Sequence, residues 1–248
     1  MHERRIAVQT YGKTDTGRVR SNNQDAFVCG RLADDVVFAV VCDGMGGAKG
    51  GNIASALAVK IITERLSAAY RENMTTQSIR YVLECAIAAA NVEVFDTAAA
   101  DENLRGMGTT VVVAVVCGKT AVLAHIGDSR AYLVTSEGLE QVTRDHSLVQ
   151  EMVESGKLTE TEARTHPRKH FITRALGVED TVECDIDERE IPERGALLIC
   201  TDGLTNMVET EDIRKILLSY PPQVAAERLV HAANMAGGSD NITVALIA

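Results

Sequence analysis

Residues 109–134 constrain the fold more than any other part of the chain, because they are dense in valine and are interrupted only twice. The interruptions are CGKT at 117–120 and GDSR at 127–130, where glycine and polar residues favour tight turns. β-Branched runs separated by short turns predict a meander of antiparallel strands. A further hairpin is predicted over 131–143, with its turn at 136–138.

Helical periodicity occurs on both sides of this meander. Apolar residues at helical spacing predict helices over 53–70, 76–97, 211–220 and 222–236, and strands are predicted at GALLIC and at the C-terminal NITVALIA. Residues 147–180 are predicted to be helical and irregular, with Gly156 as a helix C-cap and Thr159 opening a capping box. Strand clusters that do not alternate one-for-one with helices predict an antiparallel α+β layered fold.

The composition describes a globular chain, with 46% apolar residues and only four prolines among 248. No repeat or low-complexity segment divides it, so we expect one domain over 1–248. The apolar runs are too short to cross a bilayer, and the N-terminal MHERR lacks the apolar core of a signal peptide. Six cysteines stand singly with no C-x-x-C pair, which favours buried thiols and a cytoplasmic location.

Aspartates recur where the predicted strands begin or end. Asp43, Asp128 and Asp202 follow apolar runs, and Asp25 and Asp240 precede them. In antiparallel sheets these ends can meet at one edge, where five carboxylates would repel unless cations neutralise them. Oxygen ligands favour Mg²⁺ or Mn²⁺, and neither the histidines nor the cysteines show zinc spacing. Each aspartate alone is better explained as an ordinary turn former, but five in the same strand-end context favour a shared role.

The net charge of −10 suits cation binding and, with no basic segment, excludes a nucleic-acid surface.

The glycine-rich loop that begins at Asp43, DGMGGAKGG, matches neither of two phosphate-binding motifs, the Walker loop and the dinucleotide fingerprint. Lys49 precedes the glycine pair where a Walker loop needs it to follow, and it occupies the place of the third glycine in a dinucleotide fingerprint. The loop is therefore predicted to be a tight turn that lets a main-chain carbonyl approach an ion.

The chain resembles a known family, the PPM or type-2C metal-dependent Ser/Thr protein phosphatases, in their compact bacterial form. The resemblance runs nearly end to end. It is carried by eight blocks in order: TDTGRVRSNNQD (14–25), DGMGG (43–47), GTT (108–110), GDSRAY (127–132), TRDHS (143–147), HPRKHFITRALG (166–177), TDGL (201–204) and SDNIT (239–243). It implies a four-layer α/β/β/α sandwich of two antiparallel sheets flanked by helix pairs, with a flap subdomain at about 145–177.

The resemblance also implies roles for single residues. Asp43 would bridge two core ions, Mn²⁺ or Mg²⁺, with Asp202 and Asp240 completing the first site and the Gly44 carbonyl in the second. Asp25 would hold a metal-bound water, and Asp128 with Asp202 would bind a third ion. Arg20 would bind the substrate phosphate; the GRVR segment alone leaves Arg18 and Arg20 open, and the offset from Asp25 selects Arg20. Ser147 and Arg174 are flap candidates.

The implied reaction is hydrolysis of phosphoserine and phosphothreonine in proteins by direct attack of a metal-bridging water. Met45 stands where eukaryotic relatives carry a histidine proposed as the general acid, and a thioether cannot donate a proton. Another donor, such as a water on a metal, is then required. The flap residues Arg168, Lys169 and Arg174 would either bind acidic surroundings of a phosphosite or form a solvated basic loop.

Partners and rival functions follow from the same observations. We expect phosphorylated proteins as partners, including those of a cognate bacterial Ser/Thr kinase and the kinase itself. We expect no nucleic acid, no membrane segment and a monomer. A phosphoprotein-binding module without turnover would lack a core acid, and none is missing from the sequence. A two-metal nuclease would need a basic groove.

Overall fold

The computed structural model describes residues 8–248, apart from the side chains of residues 48 and 49, and this part contains two antiparallel sheets and seven helices. The strands are β1 (Thr10–Asp15), β2 (Asp25–Ala33), β3 (Val36–Met45), β4 (Gly108–Thr109), β5 (Val111–Cys117), β6 (Thr120–Ile126), β7 (Arg130–Val134), β8 (Leu139–Gln141), β9 (Asp185–Glu190), β10 (Ala196–Cys200) and β11 (Ile242–Ile247). The helices are α1 (Gly47–Ala69), α2 (Thr76–Ala100), α3 (Leu148–Glu154), α4 (Glu160–Thr165), α5 (Asp202–Thr205), α6 (Thr210–Ser219) and α7 (Pro222–Met235), with a 3₁₀ turn at Glu102–Leu104.

The two sheets differ in strand order. One has the order β1-β11-β10-β7-β8 and the other β2-β3-β5-β6-β9, with β4 paired to the end of β3. Each of these pairings is antiparallel. The predicted valine-rich strands are β5, β6 and β7, but they do not form a single meander. β5 pairs with β6 as predicted, whereas β7 lies in the other sheet between β10 and β8.

Three buried apolar layers hold these elements together. Along β3, Val36, Phe38 and Val40 pack against α1 and α2, whereas Val37, Ala39 and Val41 pack against the other sheet. A third layer joins the five-stranded sheet to α6 and α7. Each fully buried Val, Leu or Ile contributes about 1.5–3 kcal/mol, so the layers dominate folding. The α/β/β/α sandwich implied by the resemblance is confirmed.

The structure departs from the sequence predictions at the start of α1 and at strand β9. Helix α1 begins at Gly47 rather than 53, so most of the loop glycines lie inside the helix. Gly44 and Gly51 touch there: a β-carbon on Gly44 would lie 2.0 Å from the Gly51 carbonyl oxygen. Strand β9, DIDERE, was not predicted, because an edge strand with a wet face lacks an apolar pattern. The capping box at Thr159 is confirmed, with Glu162 as its partner.

Residues 145–177, here called the flap segment, contain α3 and α4 and are joined to the sheets near both ends. Thr173 N–H donates to the His146 carbonyl at 2.8 Å, which brings the two ends together. Thr109 and Leu176 exchange two backbone hydrogen bonds of 3.0 and 2.9 Å. The two ends of the segment are therefore close together, and Leu176 near its C-terminal end is joined to β4.

Across residues 8–248, no helix combines the length and apolar character needed to cross a membrane. All six cysteines are free thiols, and Cys42 and Cys200 are buried. The prediction of buried thiols was wrong for Cys85, which is exposed on α2.

Asn91 links α2 to the end of the flap segment. Its side chain is buried; Nδ2 donates to the carbonyls of Glu179 and Asp180 at 3.0 and 3.1 Å, and Oδ1 accepts from Gly177 N–H at 2.7 Å. Asn91→Ala leaves these groups unpaired and should lower the free energy of unfolding by about 2–4 kcal/mol. Chemical denaturation measures this, with Glu93→Ala on the exposed face of α2 as the control. A loss no larger than the control's would contradict the assignment.

Candidate metal centre

Asp25 and Asp43 face each other across the first two strands of the six-stranded sheet. Asp25 opens β2 and is the antiparallel partner of Asp43, near the end of β3. Phe27 lies on the same face of β2 as Asp25, and Val41 lies on the same face of β3 as Asp43. Both apolar side chains pack in the layer between the sheets, so both carboxylates lie at the edge of that layer. The β-carbons of such partners are about 4.5–5.5 Å apart, and like charges there repel.

The other three aspartates reach the same edge from turns. Asp202 opens α5 two residues after β10, and Asp240 lies two residues before β11, the strand that pairs with β10. Asp128 follows β6 by two residues. The structure thus brings together all five aspartates selected from the sequence, and their mutual electrostatic effects reflect this closeness.

Burial and repulsion shift the pKa values of Asp25, Asp43, Asp128 and Asp202 upward. Burial, and then the charges of the other four aspartates, raises the pKa of Asp43 well above its ordinary range. Burial is also the main cause that raises the pKa of Asp25 to about 7 and that of Asp128 to about 8, and it raises the pKa of Asp202. Carboxylates this close cannot all ionise without compensating positive charge.

These residues fit divalent cations. Asp25 Oδ2 accepts hydrogen bonds from the Thr201 and Thr243 hydroxyls at 2.9 and 2.7 Å. In contrast, Asp25 Oδ1 and Asp202 Oδ1 are buried and have no hydrogen-bond partner among the described residues. Unpartnered carboxylate oxygens are costly unless a cation takes them. A donor set made only of oxygen atoms suits Mg²⁺ or Mn²⁺.

Asn206 fixes the orientation of one cluster carboxylate. Its Nδ2 donates to Asp202 Oδ2 at 2.8 Å, while Lys169 Nζ of the flap segment donates to its Oδ1 at 3.2 Å. Both contacts border a cavity of about 350 Å³ that is also lined by Asp128 and Asp202. Lys169 of the flap segment is therefore linked to Asp202 through the Asn206 amide.

Arg20 is the arginine that reaches the cluster. Its Nη2 donates to Asp240 Oδ2 at 2.8 Å, and the side chain is 53% exposed. The hydrogen bond to Asp240, and then its charge, raises the pKa of Arg20, with smaller contributions from Asp43 and Asp202. Arg18 instead contributes its backbone N–H, which donates to the Gly238 carbonyl. A guanidinium with one side exposed can receive an anion at the mouth of the cluster.

The flap candidates have contacts away from the cluster. Ser147 is buried, and its hydroxyl accepts from Gln150 N–H as the N-cap of α3. Arg174 Nη1 donates to Asp185 Oδ1 at 2.8 Å. Asp185 also lies 3.3 Å from His146 Nε2. Burial raises the pKa of Asp185, but hydrogen bonds from Arg174 and His146 outweigh it, so the net shift is downward.

A second group of ligand-type side chains, His125, His146 and Asp185, does not make a metal site. The two rings stack with centroids 4.8 Å apart and 20° between planes, so their lone pairs do not converge. His125 Nε2 is bonded to the Arg144 carbonyl, and His146 Nδ1 accepts from Gly127 N–H. Burial lowers the pKa of His146 and favours its neutral form. The group holds the start of the flap segment against the turn that carries Asp128.

Sequence reasoning missed the residues that orient the cluster. Thr201 and Thr243 hold Asp25, Asn206 holds Asp202, and Asn241 accepts from Gln24 N–H while donating to the carbonyls of Thr16 and Asn22. Thr201, Asn241 and Thr243 lie inside the quoted blocks TDGL and SDNIT, which was an available signal. Asn206 had only its spacing of four residues from Asp202.

Comparison with known proteins adds four findings. Residues 15–235 match the family described as Protein phosphatase 2C. The chain is 39% identical over 239 residues to the serine/threonine phosphatase stp of Listeria monocytogenes, covering 95% of this chain and 93% of that protein. It also resembles the structure of the serine/threonine phosphatase Stp1 from Staphylococcus aureus, with 32% identity, TM-score 0.92, and 100% and 99% of the two chains covered. The catalytic domain of the phosphatase PstP, solved with two manganese ions, has TM-score 0.84 at 32% identity, covering 97% of each chain.

Removing one buried charge should stabilise the protein in chelator. Because the folded pKa values of Asp25 and Asp128, about 7 and about 8, exceed the ordinary value near 4, the folded state binds extra protons between about pH 4 and pH 8, and the repulsion grows as pH rises through that window. Asp43→Asn should therefore raise the thermal midpoint in EDTA at about pH 8, and less at about pH 5.5. Asp96→Asn, exposed on α2, is the control. A midpoint lower than wild type at the higher pH would contradict the repulsion.

Asn206→Ala should weaken Mn²⁺ binding by about 10- to 100-fold, because the Asp202 carboxylate loses the amide that orients it. Calorimetric titration with Mn²⁺ measures this without any turnover. Asn103→Ala, in the exposed 3₁₀ turn, should bind like wild type. Equal affinities for the two variants would show that Asn206 does not orient Asp202.

Proposed function

The chain belongs to the protein phosphatase 2C family and is a metal-dependent protein serine/threonine phosphatase, and from this premise we propose that the aspartate cluster is its reaction centre. The observation that carries the proposal is the convergence of five carboxylates, two of them with an unpartnered buried oxygen, beside an exposed arginine. The proposed reaction is direct attack of water on a phosphoserine or phosphothreonine monoester.

The proposal assigns each aspartate a place around the ions. Asp43 would be a ligand of two core ions, Asp202 and Asp240 would complete the first site, and the carbonyl of Gly44 would belong to the second. Asp25 would act through a water molecule, and Asp128 with Asp202 would hold a third ion. The ions are Mn²⁺ or Mg²⁺, and the two manganese ions of PstP support a core of two.

Bound divalent ions supply a lowered pKa for water and positive charge for the phosphate oxygens. The protein supplies orientation. Threonine hydroxyls fix Asp25 Oδ2, which leaves Oδ1 as an acceptor that can orient the attacking water. The Arg20 guanidinium is held by Asp240 through one nitrogen, and its remaining N–H groups can bind two phosphate oxygens. Met45 carries no proton to donate, so the leaving oxygen must be protonated by another group.

We further propose the biological setting of this activity. The substrates are phosphorylated proteins, including those of a cognate serine/threonine kinase and the kinase itself, and the enzyme acts as a monomer. The free thiols agree with a reducing, cytoplasmic compartment. We also propose one catalytic domain over 1–248, in which the flap segment governs access. The rival nuclease function is disfavoured by the net charge of −10.

Arg20→Lys should lower kcat/KM for a phosphothreonine peptide by about 10- to 100-fold, because a lysine cannot make the bidentate contact. Steady-state hydrolysis with saturating Mn²⁺ or Mg²⁺ measures this, and Arg18→Lys should stay near wild type. Activity of the wild type should vanish in excess chelator. Undiminished turnover in chelator would refute the metal mechanism, and equal effects of the two lysine variants would refute the role of Arg20.

A further inference from the structure

A groove of about 570 Å³ runs beside the end of β3 and the exit of the flap segment. Its lining consists of Met45, residues 172–175, and Val178, Glu179, Thr181, Val182 and Glu183. None of these residues has a part in the proposed chemistry. The groove is distinct from the cavity that borders Asp128 and Lys169.

The groove begins next to the cluster. Met45 follows Asp43 by two residues in β3, so the two side chains leave the same face of the strand, with α-carbons about 7 Å apart. Met45 is paired with Gly108, and the adjacent Thr109 is hydrogen-bonded to Leu176 of the flap segment. A polypeptide whose phosphorylated residue lies at the cluster can therefore continue into the groove.

The near wall of the groove is apolar. Met45, Ile172, Val178 and Val182 line it, and Val178 is 44% exposed. Phe171, which precedes Ile172, is also exposed. Large apolar side chains left in solvent beside a reaction centre favour contact with an apolar side chain of a partner.

The charges at the groove are acidic in balance. Arg174 is its one cationic lining residue among those described, and Asp185 neutralises it. Glu179 and Glu183 are exposed, and neither belongs to an ion pair among the described residues. Asn91 holds the backbone carbonyl of Glu179, which fixes the position of this acidic rim.

We infer that this groove binds the polypeptide adjoining the phosphorylated residue and selects an apolar side chain close to it and a lysine or arginine beyond. The inference rests on the proposed function and names the substrate class of the same site. For Arg174 and Lys169 it replaces the sequence alternative in which they bind acidic surroundings, because Arg174 is paired with Asp185 and Lys169 is hydrogen-bonded to Asn206. Charge complementarity at such a rim acts on substrate choice.

The test compares two phosphothreonine peptides of equal length, one with basic and one with acidic flanking residues, and p-nitrophenyl phosphate, which is too small to fill the groove. Wild type should prefer the basic peptide by about five- to tenfold in kcat/KM, as expected for two exposed charge pairs. The double variant Glu179→Lys/Glu183→Lys should remove or invert this preference, with each value normalised to p-nitrophenyl phosphate. Higher salt should reduce the wild-type preference.

The double variant Glu137→Lys/Glu140→Lys, exposed at the β7–β8 hairpin, makes the same change in net charge away from the groove. It should keep the wild-type preference. If the lysine variant at the groove misfolds, Glu179→Gln/Glu183→Gln keeps side-chain size and should still abolish the preference. An unchanged peptide ratio in the groove variants, or an equal change in the control, overturns the inference. If the wild type hydrolyses none of the three substrates, the proposed function is overturned instead.

Discussion

The repulsion among five carboxylates at one edge of the sandwich is the constraint on which the rest of this structure depends. The three apolar layers supply the stability that lets charges of like sign stay together. Hydroxyl and amide donors hold one carboxylate oxygen of Asp25 and one of Asp202, and the other oxygen of each has no hydrogen-bond partner among the described residues. The cluster lacks compensating positive charge, and Arg20 beside it supplies only part of it.

Much of this arrangement was predictable from the sequence because its causes are local. The burial of both faces of β3 and the valine-rich strands follow from continuous apolar runs, and the aspartates were found because each adjoins such a run. The start of α1 was not predictable, since the close contact of Gly44 with Gly51 joins strand and helix only in three dimensions. The contact of Asn206 with Lys169 was missed for the same reason, because 37 residues separate the two in sequence. Asp185 was missed because it opens the unpredicted edge strand β9.

Different contacts link the flap segment to the orientation of the metal ligands and to the groove proposed to bind substrate. Lys169 reaches the cluster through Asn206, and residues 172–175 form one side of the groove that adjoins Met45. His146 and Asp185 hold the segment in place near its start and its end. A change in its position would therefore alter ligand orientation and substrate fit together, although the two depend on separate side chains.

The pairing of Asp25 with Asp43 also favours the correct register of β2 against β3. Side chains alternate along β2, so a slip of one residue would carry Asp25 to the opposite face, where Val28 packs against the layer under α1. A carboxylate moved into that apolar layer would lose its threonine donors and pay several kcal/mol for lost hydration. The residue proposed to serve the chemistry thus also penalises misaligned chains during folding, and substitutions that neutralise it would relax that discrimination.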